Sequence, residues 1–144
     1  MIEHDYVVDV EWKADRKGML SGPGLSDTFE VATPPQFPKG MEGIWSPEHL
    51  FTAAISSCLM TTFLAIAENS KLVFTSFSCK SKGKLDTVDG QLIMSEIILE
   101  PTVTIPHEQD RERAGRVLQK SEAACLISKS VKSKITMLPT IIIG

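Results

Sequence analysis

The chain has 144 residues, of which 42% are hydrophobic and 23% are charged, and its formal net charge is −3. This length suits one domain with a sizeable core, and the composition is typical of a globular rather than a disordered protein. The acidic balance and the lack of a basic stripe argue against nucleic acid as a partner.

The first third of the chain is predicted to form strands and one long loop. Alternating apolar side chains predict a half-buried strand over Tyr6–Trp12, followed by a turn at Asp15–Gly18. A second strand is expected over Leu25–Ala32. The segment Thr33–Gly43 holds three of the eight prolines, so it is predicted to be a loop. It either lies over a pocket or is a packed connector. The first residues show no basic leader followed by an apolar run, so we expect no signal peptide.

Residues Trp45–Asn69 are predicted to form a single helix. Ser46 is a suitable N-cap, and Pro47 suits the first helical position. No charged residue occurs over Leu50–Ala67, and apolar side chains lie on every face, as in a core helix or a membrane span. Five Ser and Thr side chains interrupt this run, and the rest of the chain is amphipathic. We therefore expect a fully covered core helix and no membrane.

The second half of the chain alternates between extended and helical patterns. Strands are predicted over Val73–Leu85 and Gln91–Ile105, joined at Asp89-Gly90, a dipeptide typical of two-residue hairpins. A helix is expected over His107–Cys125, and a final strand over Val131–Ile143. The order of elements predicts an α+β fold in which antiparallel sheet packs on the helices. One side of the second helix carries Ala114, Val117, Leu118, Ser121 and Cys125.

The three cysteines are the most informative candidates for chemistry. No phosphate-binding loop, C-x-x-C pair or H-E-x-x-H motif is present, and nothing indicates a metal site. An odd number of cysteines suits a reducing cytoplasm with free thiols. Cys58 lies mid-helix and Cys125 closes the apolar face of the second helix, so the two thiols form a candidate redox pair if both helices pack on one sheet. The alternative is that each cysteine is a small core residue, as we expect for Cys79.

Two segments resemble the signature of the OsmC/Ohr family. One is SPEHL at residues 46–50, followed by Ala53-Ala54 and Ser57-Cys58, and the other is ACLIS at residues 124–128. The resemblance covers nearly the whole chain and implies one OsmC-like domain over residues 1–144. It implies an intertwined homodimer in which antiparallel sheets wrap around two long central helices. It also implies a cysteine-based peroxidase that reduces organic hydroperoxides in the defence against oxidative stress.

The resemblance also assigns roles to individual residues. Cys58 would be the peroxidatic cysteine and Cys125 the resolving cysteine, which together form a redox-active disulfide. Glu48 matches the carboxylate that holds an arginine, and the arginine in turn lowers the pKa of the peroxidatic thiol. Arg16 is the candidate for that cation, with Lys17 or a one-residue offset as the alternative. No cofactor is implied beyond an external dithiol reductant, for which a dihydrolipoyl group is the candidate.

The sequence departs from the family's best-known branches. It lacks the C-P-Y-S segment of the organic-hydroperoxide-resistance branch, and Leu59–Thr62 after Cys58 is nearer the broader OsmC-like group. Substrate preference and turnover therefore stay open. The competing interpretation is a non-enzymatic dimer that binds a small hydrophobic molecule and keeps the cysteines as core residues.

Overall fold

The computed structural model describes residues 2–144, which form two compact units, residues 2–50 and residues 51–144. The strands are β1 (Asp9–Ala14), β2 (Lys17–Ser21), β3 (Phe29–Ala32), β4 (Ser76–Val88), β5 (Gln91–Ile105), β6 (Lys134–Met137) and β7 (Thr140–Ile143). The helices are α1 (Pro47–Asn69), α2 (Arg111–Ala124), which follows a 3₁₀ turn (Glu108–Asp110), and α3 (Leu126–Lys129).

The first unit is a three-stranded antiparallel sheet with the order β1-β2-β3. Strands β1 and β2 meet at a turn in which Asp15 has a φ of 51°, a left-handed conformation that Asp tolerates better than most residues. The predicted turn at Asp15–Gly18 is confirmed at its start, but Lys17 and Gly18 already belong to β2. The segment Thr33–Gly43 contains no helix or strand, as predicted.

Two predictions for this unit are wrong in part. The strand expected over Tyr6–Trp12 begins at Asp9, and all six of its residues are exposed rather than half-buried. The strand expected over Leu25–Ala32 is only Phe29–Ala32, and β2 was missed. The physical reason is that the alternation of apolar and polar residues shows which face of a strand is apolar. It does not show whether the same chain covers that face. Strand β2 was missed because Lys17-Gly18 reads as part of a turn.

The start of α1 follows the predicted capping arrangement. The His49 backbone N–H donates to Ser46 Oγ (3.2 Å), while the Ser46 backbone N–H donates to His49 Nδ1 (3.1 Å). This is the reciprocal geometry of a capping box, with His in the place of the usual Glu or Gln. Pro47 occupies the first helical position, where its missing N–H has no cost.

The second unit contains a sheet of four strands built on the long β4–β5 hairpin. Asp89 (φ 50°) and Gly90 (φ 77°) form the two-residue turn, as their sequence predicts. The predicted final strand over Val131–Ile143 is wrong, because the chain forms two short strands, β6 and β7. Both pair in parallel with β5, so this sheet is mixed rather than antiparallel. Pro101 of β5 lies between the stretches that pair with β6 and β7.

The core of the second unit lies between α1, α2 and the sheet. Helix α1 buries one stripe, which consists of Ile55, Leu59, Phe63 and Ala67. Helix α2 buries Ala114, Val117, Leu118 and Ser121, all of which were predicted to share one face. The clusters that these side chains form include Ile97, Leu99, Val103 and Ile105 of β5. Burial of these apolar side chains fixes α1 and α2 against the same sheet.

The face of α1 opposite this stripe is exposed among residues 2–144. Residues on the opposite side of the helix are exposed, among them Ala54, Ser57, Thr61, Leu64 and Ala65. The expectation of a fully covered helix is therefore not met within a single chain. By length and composition α1 would also be able to span a membrane, but core helices of soluble proteins have the same properties.

Candidate active site

The second unit brings two of the predicted site residues together. Cys58 lies in the middle of α1 and is half-buried, while Cys125 is 1% exposed. Cys125 has an extended backbone (φ −64°, ψ 109°) and separates α2 from α3. Its backbone N–H still donates to the Glu122 carbonyl (3.2 Å), and its carbonyl accepts from the Lys129 N–H (3.2 Å). The break between the helices thus holds the Cys125 thiol at a fixed place beside α1.

The surroundings of Cys58 favour its thiolate. Burial alone would raise the pKa of the Cys58 thiol, but hydrogen bonding to the Cys125 thiol opposes this effect. The Ile127 backbone N–H, the Thr62 hydroxyl and the Leu126 backbone N–H act in the same direction. Thr62 Oγ1 lies 3.8 Å from Cys58 Sγ. The net result is a Cys58 pKa below the ordinary value for a thiol.

The surroundings of Cys125 favour its neutral thiol. Burial raises the pKa of Cys125, and the hydrogen bond to Cys58 raises it further, because the proton is shared with a more acidic neighbour. The Ser128 side chain and backbone lower this pKa but do not reverse its direction. Cys58 is therefore the member of the pair that ionises first.

Sequence reasoning found the cysteine pair but missed the groups that tune it. The i, i+4 spacing of Cys58 and Thr62 on a helix is a signal that was available, since such side chains are neighbours. The contacts from Leu126 and Ile127 come from backbone N–H groups of α3, and no sequence pattern indicates them. Within the second unit, no Lys or Arg side chain is among the groups that lower the Cys58 pKa.

The other predicted site residues, Glu48 and Arg16, belong to the first unit. Glu48 is half-buried in the first turn of α1. Arg16 is exposed and lines an open cavity of about 600 Å³ together with Trp12, Val31 and Pro47. The alternative cation, Lys17, forms an ion pair with Glu30 (2.9 Å).

Two further findings concern groups outside the pair. Cys79 is half-buried on β4, where it packs against the cluster that contains Ile55 and Leu59. This placement agrees with the predicted role of Cys79 as a small core residue. Within residues 2–144, no group of three or more His, Cys, Asp or Glu side chains is placed to hold a metal ion.

The fold and the site together define an α+β protein with two hydrogen-bonded thiols between a long helix and a helix–helix break. The profile of the family described as "OsmC-like protein" matches residues 40–138. The chain belongs to this family, and the resemblance stated from the sequence is thus confirmed.

Several individual proteins are similar to this chain. An uncharacterized protein of Bacillus subtilis, YmaD, is 22% identical over 143 residues, which cover 95% of this chain and 93% of YmaD. Peroxiredoxin OsmC of Escherichia coli is 27% identical over 92 residues, which cover 64% of each chain. The structure of an OsmC-like protein of unknown function from Vibrio cholerae has a TM-score of 0.86 at 21% identity, over 95% of this chain and 99% of the other.

Replacing Thr62 by Val should raise the pKa of Cys58, because the thiolate loses a hydrogen-bond donor. At a pH below this pKa, a smaller fraction of Cys58 is then ionised. Its alkylation by iodoacetamide at pH 7 should therefore slow about twofold, as expected for the loss of one long, weak hydrogen bond. The rate is measured by mass spectrometry of the Cys58 peptide. Thr61→Val is the matched control, because the Thr61 hydroxyl donates to the Cys58 carbonyl rather than to the sulfur. Equal rates in the two variants would contradict the prediction.

Proposed function

We propose that this protein is a thiol-dependent peroxidase that reduces organic hydroperoxides to alcohols. The observation that carries the proposal is the hydrogen-bonded pair of thiols, in which Cys58 has a lowered pKa and Cys125 a raised one. A thiolate is the reactive form of cysteine, and the group that does most to lower the Cys58 pKa is a second thiol that can form a disulfide with it. Cysteines that served only as core residues would not need this difference in acidity.

The reaction proceeds in two chemical steps. The Cys58 thiolate attacks the O–O bond of the hydroperoxide, forms a sulfenic acid and releases the alcohol after a proton is taken up. The Cys125 sulfur then attacks the Cys58 sulfur, and the sulfenic oxygen leaves as water with the Cys125 proton. The product is a Cys58–Cys125 disulfide. The two electrons that restore both thiols come from an external dithiol, with a dihydrolipoyl group as the candidate.

The protein is proposed to act as a homodimer in the cytoplasm, with two long central helices and no cofactor. Support comes from α1, whose exposed face carries Leu64 (42% exposed) and Met60 (39% exposed) beside small residues. An exposed apolar helix face is costly in water, and a second copy of the chain would remove it from solvent. The exposed strand β1 offers a second apolar surface, with Val10 67% exposed and Trp12 73% exposed.

Glu48 and Arg16 are proposed to activate Cys58 across that dimer. The sequence resemblance gives Glu48 the task of holding Arg16, and a cation beside a thiol lowers its pKa. Helix α1 is unbroken from Pro47 to Asn69, so Glu48 and Cys58 are separated by about 15 Å along its axis and about 80° around it. A pair of charges held at the start of α1 would therefore serve the Cys58 of the other chain.

Consumption of cumene hydroperoxide by the purified protein tests the proposal. With dithiothreitol as reductant, we expect many turnovers per chain, because a dithiol reopens the disulfide after each cycle. Hydrogen peroxide, assayed in parallel, separates a preference for organic hydroperoxides from general thiol oxidation. The non-enzymatic dimer predicts no consumption above that of protein alkylated with iodoacetamide. That result would rule out the peroxidase.

A further inference from the structure

A buried hydroxyl lies beside the resolving thiol without a good partner of its own. Ser128 Oγ is shielded from solvent and, among residues 2–144, accepts or donates no well-formed hydrogen bond. The group that it does influence is the Cys125 sulfur, on which it acts together with the Ser128 backbone. Ser128 is the third residue of α3, so it lies three positions beyond Cys125 and on the same side of that turn.

Such a hydroxyl calls for an explanation. Leaving a buried donor without a partner costs about 1–3 kcal/mol, and native structures contain few such groups. A neutral thiol is a weak acceptor, whereas a thiolate is a strong one. The hydroxyl is thus poorly satisfied while Cys125 is protonated and becomes satisfied when Cys125 carries a negative charge. Donors placed in advance where charge develops are a common source of rate enhancement.

We propose that Ser128 is a catalytic residue of the resolving step, in which its hydroxyl donates to the Cys125 sulfur as that sulfur loses its proton. This inference rests on the proposed function, since it concerns the step that follows oxidation of Cys58. In the reduced protein, Cys125 is hydrogen-bonded to Cys58 and holds its proton. Once Cys58 is a sulfenic acid, Cys125 must become a nucleophile. Its proton leaves with the sulfenic oxygen as water, and Ser128 stabilises the negative charge on sulfur along the way.

Different groups of α3 act on the two sulfurs. The backbone N–H groups of Leu126 and Ile127 act on Cys58, while the hydroxyl and backbone of Ser128 act on Cys125. One short turn after Cys125 therefore supplies donors for both steps of the cycle. Ser130, only two residues further on, has a different role, because its hydroxyl donates to the Leu126 carbonyl (2.8 Å) and is exposed.

The test follows Cys125 without any peroxide, so that it does not depend on the proposed function. In a Cys79→Ser background, 5,5′-dithiobis(2-nitrobenzoate) is attacked by Cys58, which releases one thionitrobenzoate and leaves a mixed disulfide. Cys125 then attacks the Cys58 sulfur, forms the protein disulfide and expels a second thionitrobenzoate. The absorbance of the released anion reports both rates. The same variants are then studied by stopped-flow mixing with cumene hydroperoxide.

We expect Ser128→Ala to slow the second release about tenfold at pH 7, as expected for the loss of one hydrogen bond to a charged sulfur. The pH midpoint of that step should move upward, while the first release stays unchanged. Ser128→Thr should restore both the rate and the pH midpoint of the second release, and Ser130→Ala should behave as the parent protein.

With hydroperoxide, Ser128→Ala should accumulate sulfenic acid and over-oxidise more readily. A second release with an unchanged rate and pH profile in Ser128→Ala would overturn the inference. A failure of hydroperoxide to oxidise Cys58 would overturn the proposed function instead.

Discussion

Cys58→Ser should consume no hydroperoxide above the buffer control, because a serine hydroxyl at neutral pH is far too weak a nucleophile to replace a thiolate. Cys125→Ser should behave differently and reduce a single equivalent of hydroperoxide per chain. It then stops as a Cys58 sulfenic acid, which dimedone labels and excess peroxide converts to sulfinic acid. Turnover and the mass of the Cys58 peptide measure the two effects.

Cys79→Ser is the matched control for these two variants, because Cys79 packs in the core of the second unit and is not among the groups that tune Cys58. It should keep the turnover of the unchanged protein. Turnover that survives in Cys58→Ser, or that disappears in Cys79→Ser, would show that the peroxidatic residue has been assigned wrongly.

A mixed dimer of Cys58→Ser and Arg16→Ala chains should recover about half of the unchanged activity, although each parent dimer is inactive or slow. If Arg16 acts on the Cys58 of the other chain, one site of the mixed dimer holds both groups and the other site holds neither. Two affinity tags on co-expressed chains allow its isolation, and hydroperoxide turnover per dimer is the readout.

Within-chain activation by Arg16 gives the opposite result. Each site of the mixed dimer would then lack one group, and activity would not exceed the mean of the two parents. Sedimentation of the unchanged protein is the accompanying control. A monomer at the assay concentration would exclude the shared site altogether.

Local signals in the sequence predicted the elements that carry the cysteines. Ser46 and Pro47 define the start of α1, and Asp89-Gly90 defines the hairpin turn, because capping and turn geometry depend on a few neighbouring residues. The buried face of α2 also follows from spacing alone. Since both helices must pack on one sheet, the proximity of Cys58 and Cys125 could be predicted from the sequence.

What the sequence could not provide depends on contacts between distant segments. The parallel pairing of β6 and β7 with β5 joins residues more than thirty positions apart, and no local pattern specifies it. The donors on α3 act through backbone N–H groups, which every residue except proline possesses. Ser128 was part of the segment that showed the resemblance, but only its burial beside Cys125 indicates a function.

The most direct test of the central claim is a count of free thiols before and after one equivalent of cumene hydroperoxide, followed by peptide mapping under non-reducing conditions. We predict that two of the three thiols disappear, that the Cys58 and Cys125 peptides are found joined, and that Cys79 remains free. A disulfide that includes Cys79, or three thiols that remain free after the hydroperoxide has been added, would contradict the account.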